Sequence, residues 1–369
     1  MKKYILKYIG IISILIIVSS GVFSNQLKNI LIDEVSVFNE NYVNKLDKGE
    51  KDRFIVGNYY LTENNWLLGK FSKIIPDNKM KVYANEINDL SKLATSQGKD
   101  TYFVSMTHKT NMLKHLYPSF VENKNNIDLN KDSLASKLDK NYISFIDIDR
   151  YFLSNFSEKE RENFYFKTDH HWNGIGAFEG FEFIINNMDL DLSSNEVSEY
   201  MSKYKVKVIK DKEFIGSYNR KLNFIVKDKE FANYVYKKGS KLEYFITDGS
   251  KEHKLDEEKI MATLRNKNSW DYGGAYMRGT NCNILKIKNR NSLTDKKVLI
   301  FRDSYQAPMT WLLADIFKEV QIVDPRYIEN IDMTYEDIIT NINSDIIMFM
   351  YNSFGFEGMI KEMINKKID

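Results

Sequence analysis

Two short stretches hold the residues best suited to chemistry. Asp169-His170-His171-Trp172 places a carboxylate two residues from an imidazole, and Arg302-Asp303-Ser304-Tyr305 presents a serine directly after a second acid. In an extended turn, residues i and i+2 project to one side, so Asp169 is expected to reach the ring of His171 while His170 faces away. A carboxylate on one imidazole nitrogen fixes the tautomer and leaves the other nitrogen to take a proton from a hydroxyl, which Ser304 would supply. Plainer readings stand beside this one. Asp169, Asp303 or Ser304 can simply cap a helix. A zinc site using both histidines needs further ligands, and the chain has no cysteine cluster and no His-Glu-x-x-His motif.

The flanking residues predict how these groups are held. Val298 to Phe301 is a continuous apolar run suited to a central strand. After Ser304, residues Met309, Leu312, Leu313, Ile316, Phe317 and Val320 follow helical spacing, with Pro308 tolerable in the first turn. Ser304 thus falls at a strand-to-helix elbow, where backbone N–H groups at a helix start can hold an oxyanion. Ile175, Phe178, Phe181 and Ile185 predict a second helix after Asn173-Gly174. Further strands are expected at 101–106, 143–148, 320–323 and 346–351, alternating with helices, which predicts an α/β fold with a largely parallel sheet. Between about 201 and 289 short alternating segments predict a smaller β-rich insertion.

Composition narrows the class. The 369 residues are 43% hydrophobic, enough for a sizeable core. A formal charge of +2 gives no general pull toward nucleic acid. The single cysteine, Cys282, excludes an intrachain disulfide framework. Lys2, Lys3 and Lys7 precede an almost uncharged run from Tyr8 to Phe23, the layout of a secretory signal or signal anchor. The expected organisation is an anchor or signal at 1–26, a stalk at 27–55 and a catalytic domain at 56–369, lying outside the cell membrane, or secreted where the signal is cleaved. His108 and His115, seven apart, are expected on one side of a helix, solvated or packed.

Lys167-Thr168-Asp169-His170-His171-Trp172-Asn173-Gly174-Ile175-Gly176-Ala177 and the distant Phe301-Arg302-Asp303-Ser304-Tyr305 resemble the DHHW proteins, relatives of the alginate O-acetyltransferases in the SGNH-like hydrolase superfamily. Asn65-Trp66-Leu67-Leu68 is similar to the family's Gly-x-x-x-Trp-Leu-Phe segment, and Asp324-Pro325-Arg326-Tyr327 to its Asp-x-Arg-Tyr. Arg302 stands where Lys or Gly is usual. The resemblance implies a three-layer SGNH-like core in circularly permuted motif order, with Ser304, His171 and Asp169 as catalytic residues and no cofactor or metal. It also implies acetyl transfer to a secreted or cell-surface polysaccharide, with the acyl group supplied by a membrane-bound O-acyltransferase. A carbohydrate acetylesterase and a non-catalytic glycan-binding scaffold are the alternatives. Candidates for the oxyanion site are N–H groups near Tyr305, Asn352, and Asn281 with Gly273-Gly274; for sugar stacking, Trp172, Trp270 and Tyr272; for an anionic substituent, Arg302, which reads more simply as a surface ion pair.

Overall fold

The computed structural model describes residues 55–56, 59–118, 121, 125–247, 251–255, 269–276, 284–330 and 333–365. The expected anchor at 1–26, nearly all of the stalk at 27–55, Asn281 and Cys282 lie outside these. Among the described residues no helix is long and apolar enough to cross a membrane.

In chain order the strands are β1 (Ile55–Val56), β2 (Tyr59–Leu61), β3 (Leu67–Gly69), β4 (Asp100–Met106), β5 (Ser144–Asp147), β6 (Tyr204–Val208), β7 (Glu213–Phe214) and β8 (Asn233–Lys237). They continue with β9 (Leu242–Thr247), β10 (Glu252–Leu255), β11 (Ser269–Trp270), β12 (Ile284–Asn289), β13 (Thr294–Arg302), β14 (Phe317–Val323) and β15 (Ile346–Asn352). Eight of them form one sheet in the order β10-β9-β12-β14-β13-β15-β4-β5. From β14 to β5 every pairing is parallel. The chain runs from β13 outward to β14 and then back across to β15, so the direction of winding reverses at β13. In doubly wound sheets the crevice at the carboxyl ends of the strands on either side of such a reversal is the usual ligand site.

The fold is mixed α/β, with a largely parallel sheet between two helix layers, as expected. The central runs Val298 to Phe301 and Ile346 to Tyr351 are apolar without interruption because both sheet faces are covered. Val298 and Ile300 of β13 face one cluster with Ile346, Met348 and Met350 of β15, while Leu299 and Phe301 face the other with Ile347, Phe349 and Tyr351. Helices Ile148–Asn155, Gly174–Asn186 and Thr310–Ile316 contribute to the first cluster; Asp77–Ser96, Tyr335–Asn341 and Phe356–Asn365 contribute to the second.

One expectation is corrected. The helix after Ser304 stops at Ile316, and Phe317 and Val320 belong to β14. Their helical spacing is incidental: Thr294 to Phe301 of β13 pairs with Phe317 to Val323, and the apolar residues of a strand covered on both faces, here Phe317, Val320, Ile322 and Val323, can also fall at positions a helix would use. The segment from 201 to 289 adds to the core sheet as well as standing on it, since β9, β10 and β12 extend the sheet antiparallel beyond β14. Its β6 and β8 form a separate two-stranded ribbon, and β7 and β11 a short parallel pair.

Candidate active site

Ser304 opens a six-residue 3-10 turn, Ser304–Met309, at the carboxyl end of β13. Asp303 caps this turn, accepting from Tyr305 N at 2.8 Å with one oxygen and from Asn352 N at 2.7 Å with the other. The cap therefore ties the end of β13 to the end of β15 across the reversal. Burial pushes the Asp303 carboxyl up from its ordinary value, opposed by these donors.

The turn bearing Asp169 and His171 is closed by a bridge between Tyr165 and Trp172, and by Asn173 N donating to Phe164 O at 2.8 Å. Asn173 then starts the helix Gly174–Asn186, its side chain accepting from Ile175 N and Gly176 N. His171 Nδ1 meets Asp169 Oδ1 at 2.6 Å, and His171 Nε2 meets Ser304 Oγ at 2.8 Å. The line from carboxylate to imidazole to hydroxyl is thus continuous. Asp169 also accepts from His171 N at 3.0 Å and, through Oδ2, from Ser217 N at 2.6 Å. Burial opposes ionisation of Asp169, yet His171, His170 and these donors together hold it well below the usual carboxylate range.

His170 does not turn fully away as expected. The segment is bent rather than extended, and the His170 ring lies 3.8 Å from that of His171 and 3.3 Å from Asp169 Oδ1. It meets Ser217 Oγ at 3.0 Å. Asp169, His170 and His171 hold their ligand-type atoms within 4.8 Å of one another, the grouping that suggested zinc. The 2.6 Å contact between Asp169 and His171 is a hydrogen-bond separation, with no room for an ion between the two atoms.

The remaining candidates fall into place around this line. Tyr305 N is occupied by Asp303, so it is not the oxyanion donor expected of it; its side chain donates from the hydroxyl to His170 O at 2.6 Å. The Asn352 amide donates to Asp303 and its carbonyl oxygen accepts from Phe354 N and Gly355 N. Trp172 is fully buried, with Nε1 donating to Tyr305 O at 2.8 Å, and is therefore core rather than a sugar platform. Trp270 is core too, packed with Phe166, Phe214 and Tyr276. Tyr272 lies at the site, stacked on His171 with centroids 3.6 Å apart. Arg302 is fully buried with Nη2 3.6 Å from Asp324, so it is no surface ion pair. Arg326 holds the same carboxylate with two hydrogen bonds. Gly274 N donates to Asp271 in a short helix, Tyr272–Tyr276.

Other site residues carried no motif. Lys109, at the carboxyl side of β4, is buried, and its Nζ donates to the carbonyls of Leu67, Phe166, Lys167 and Asp169 at 2.7 to 2.9 Å. Burial pulls this ammonium down from its ordinary value, opposed by Glu230 and Asp169. Glu230 accepts from Thr168 N at 2.9 Å, clamping the same turn from the other side. His108 and His115 do not share a helix. His108 caps the four-residue helix Lys109–Met112 and stacks on Phe354 at 4.6 Å, whereas His115 pairs with Glu162 at 3.2 Å. The only advance signal for Lys109 and His108 was position, since carboxyl ends of parallel strands gather functional groups.

Neither a family model nor a curated protein matches the sequence. Solved structures match its fold. PatB1 of Bacillus cereus, in a structure with a sulfonyl adduct, is 24% identical with a TM-score of 0.68, and the match covers 83% of this chain and 98% of that one. A DHHW family protein of Eubacterium siraeum is 18% identical with a TM-score of 0.64, covering 84% of this chain and 96% of the other. The expected resemblance to DHHW proteins is thus met at the level of the fold.

Proposed function

We propose that the protein is an extracytoplasmic serine O-acyltransferase that moves an acyl group, by preference acetyl, onto a hydroxyl of a secreted or cell-surface polysaccharide. The observation carrying this reading is the unbroken line of hydrogen bonds from Asp169 through His171 to Ser304, 2.6 and 2.8 Å long. Asp169 holds the Nδ1–H tautomer, so Nε2 accepts the Ser304 proton as Oγ attacks the donor's carbonyl carbon. The tetrahedral oxyanion collapses, the bond to the donor's leaving group breaks, and His171 returns the proton to that group. A sugar hydroxyl then attacks the acyl-serine, loses its proton to His171, and departs as the ester while Ser304 recovers its hydrogen. Ser304 N–H, the first of its turn and so without a partner inside the turn, is suited to the oxyanion.

The Lys2, Lys3 and Lys7 flank and the apolar run to Phe23 support export and tethering at the outer face of a membrane. A membrane-bound O-acyltransferase is the proposed source of the acyl group. The test is turnover of an activated acetyl ester with and without oligosaccharide acceptors, together with mass spectrometry of the protein. Acetyl trapped on Ser304, with turnover lost in Ser304→Ala and His171→Ala, is the expected result. Acceptor-stimulated ester formation marks transfer, and free acetate regardless of acceptor marks an esterase. Turnover untouched by either substitution rules the site out.

A further inference from the structure

The chain is nearly neutral, yet its lysines are not evenly spread. Residues 203–210 contain four lysines and residues 231–241 three, and neither stretch has an Asp or Glu. The two stretches are brought together as the ribbon β6–β8. Its register sets Lys205 opposite Tyr236 and Lys207 opposite Tyr234, and cross-strand partners point to the same face. One face of the ribbon therefore alternates ammonium groups with phenol rings, and Lys205 and Lys207 are exposed.

Beside that face lies a cleft of about 320 Å³, lined by Lys207, Tyr234, Tyr236, Tyr244, Trp311 and Asp315 among others. Trp311 is half-buried; its Nε1 donates to Val235 O at 3.0 Å, and the ring stands edge-on to Tyr234. Asp315 is buried, accepting from Tyr204 Oη at 3.3 Å, and lies 3.9 Å from Lys237. It offsets Lys237 and leaves the outer lysines as the charge a ligand meets. The ribbon is joined to the site: Asn233 of β8 accepts from Ile175 N with its side chain and from Tyr276 Oη with its carbonyl, and Trp311 is on the helix following the Ser304 turn.

We propose that this ribbon and cleft bind an anionic polysaccharide, with sugar rings against Tyr234, Tyr236 and Trp311 and the carboxylates or phosphates of the polymer against Lys205 and Lys207. Rings of this kind present apolar faces suited to the C–H faces of sugars, and spaced ammonium groups match a polymer with a charge on each repeat. Aromatic and basic groups together also suit single-stranded nucleic acid. A glycan is favoured because the inference rests on Ser304 as a site of transfer to sugar hydroxyls, and the ribbon packs on the helix layer of that site.

The test measures binding of full-length Ser304→Ala protein to polygalacturonate, phosphomannan, neutral dextran, polyglutamate and an oligothymidylate. The expected result is salt-sensitive binding to polygalacturonate, phosphomannan or both, the pair separating carboxylate from phosphate, with dextran bound weakly. Affinity should fall at least about tenfold in Lys205→Glu/Lys207→Glu and separately in Tyr234→Ala/Tyr236→Ala. In a Ser304 background, the lysine variant should hydrolyse a small acetyl ester at the wild-type rate. Three results overturn the inference: no binding to either anionic glycan, polyglutamate binding that matches the glycans and ignores the tyrosines, or tighter binding of the oligothymidylate. Glycan binding without any turnover of the small ester would instead defeat the catalytic reading and leave the ribbon's role standing.

Discussion

The Tyr272 ring lies flat on the His171 imidazole, with centroids 3.6 Å apart and planes 5° from parallel. This fixes the ring that must face Asp169 on one edge and Ser304 on the other. The Tyr272 hydroxyl is buried and meets no hydrogen-bond partner among the described residues, so the ring rather than the hydroxyl makes the contact. Tyr272→Phe should keep kcat within about threefold and raise stability by up to ~1 kcal/mol, because a buried unmatched polar group is removed. Tyr272→Ala should lower kcat by about 10- to 100-fold, since the imidazole loses its lateral support. Ester turnover and thermal melts of the two variants check both.

Asp169 is expected to act through charge and orientation. Asp169→Asn presents an amide that stabilises the imidazolium poorly and can favour the wrong tautomer of His171, and kcat should fall about 10³- to 10⁴-fold with KM little changed. A rise in KM with kcat nearly unchanged would instead point to a binding role. Steady-state kinetics on an activated ester decide between them.

Lys109 is the fastener of the catalytic turn. Lys109→Met retains much of the side chain's bulk but leaves the carbonyls of Leu67, Phe166, Lys167 and Asp169 without their shared donor. Lys167 O keeps the Leu67 N–H, while each of the other carbonyls left unmatched costs about 1–3 kcal/mol, and partial relaxation brings the expected total to roughly 3–5 kcal/mol. Chemical denaturation of the variant measures it.

Asp169 was legible in the sequence and Lys109 was not. Val298 to Phe301 announced a central strand because both of its faces are buried, and Asp169, His171 and Ser304 announced themselves by residue type and by motif. Phe317 and Val320 misled because a strand covered on both faces can place apolar residues three apart, the spacing of one face of a helix. Tyr305 misled because the donor it seemed to offer is consumed by Asp303, a bond that depends on β15 lying beside β13. Lys109 was silent for a similar reason: its four acceptors come from residues 67, 166, 167 and 169, and only the fold brings them to one ammonium. Trp172 and Trp270 have the composition of a sugar platform, and burial alone decides that they are core.

Asp149 gives the fold a pH dependence of its own. It is fully buried, accepting from Asn111 at 2.8 Å, and burial pushes its carboxyl up from 3.8 to about 7. Between those values the unfolded chain has released the proton that the native carboxyl retains. The native state then binds more protons, so this group's contribution to stability falls as pH rises through the window and levels off above about pH 7. Asp149→Asn should flatten that decline, by up to about 4 kcal/mol between the two ends. Denaturation of both proteins at pH 4, 5.5 and 7.5 tests the slope, and parallel curves would mean that Asp149 ionises at its ordinary value.

Gly216 couples the β-rich segment to the catalytic turn, by close packing as well as by its N–H donating to Thr168 Oγ1 at 3.3 Å. Its φ is −70°, so the backbone is ordinary, but a Cβ added there would sit 2.1 Å from Thr168 O and 2.2 Å from Thr168 C. The next residue's N–H is the one that binds Asp169 Oδ2 at 2.6 Å. Gly216→Ala must therefore push the two segments apart, lengthening the Ser217 to Asp169 bond and swinging the carboxylate relative to His171. A displacement near 1 Å at a reacting group costs about 10²-fold, and a loss of that order in kcat is expected. The low-field proton signal of His171 Nδ1–H, which reports the 2.6 Å bond to Asp169, should weaken or shift in parallel. Ser217→Ala keeps the same backbone donor and the glycine before it, and should leave both the signal and kcat close to wild type.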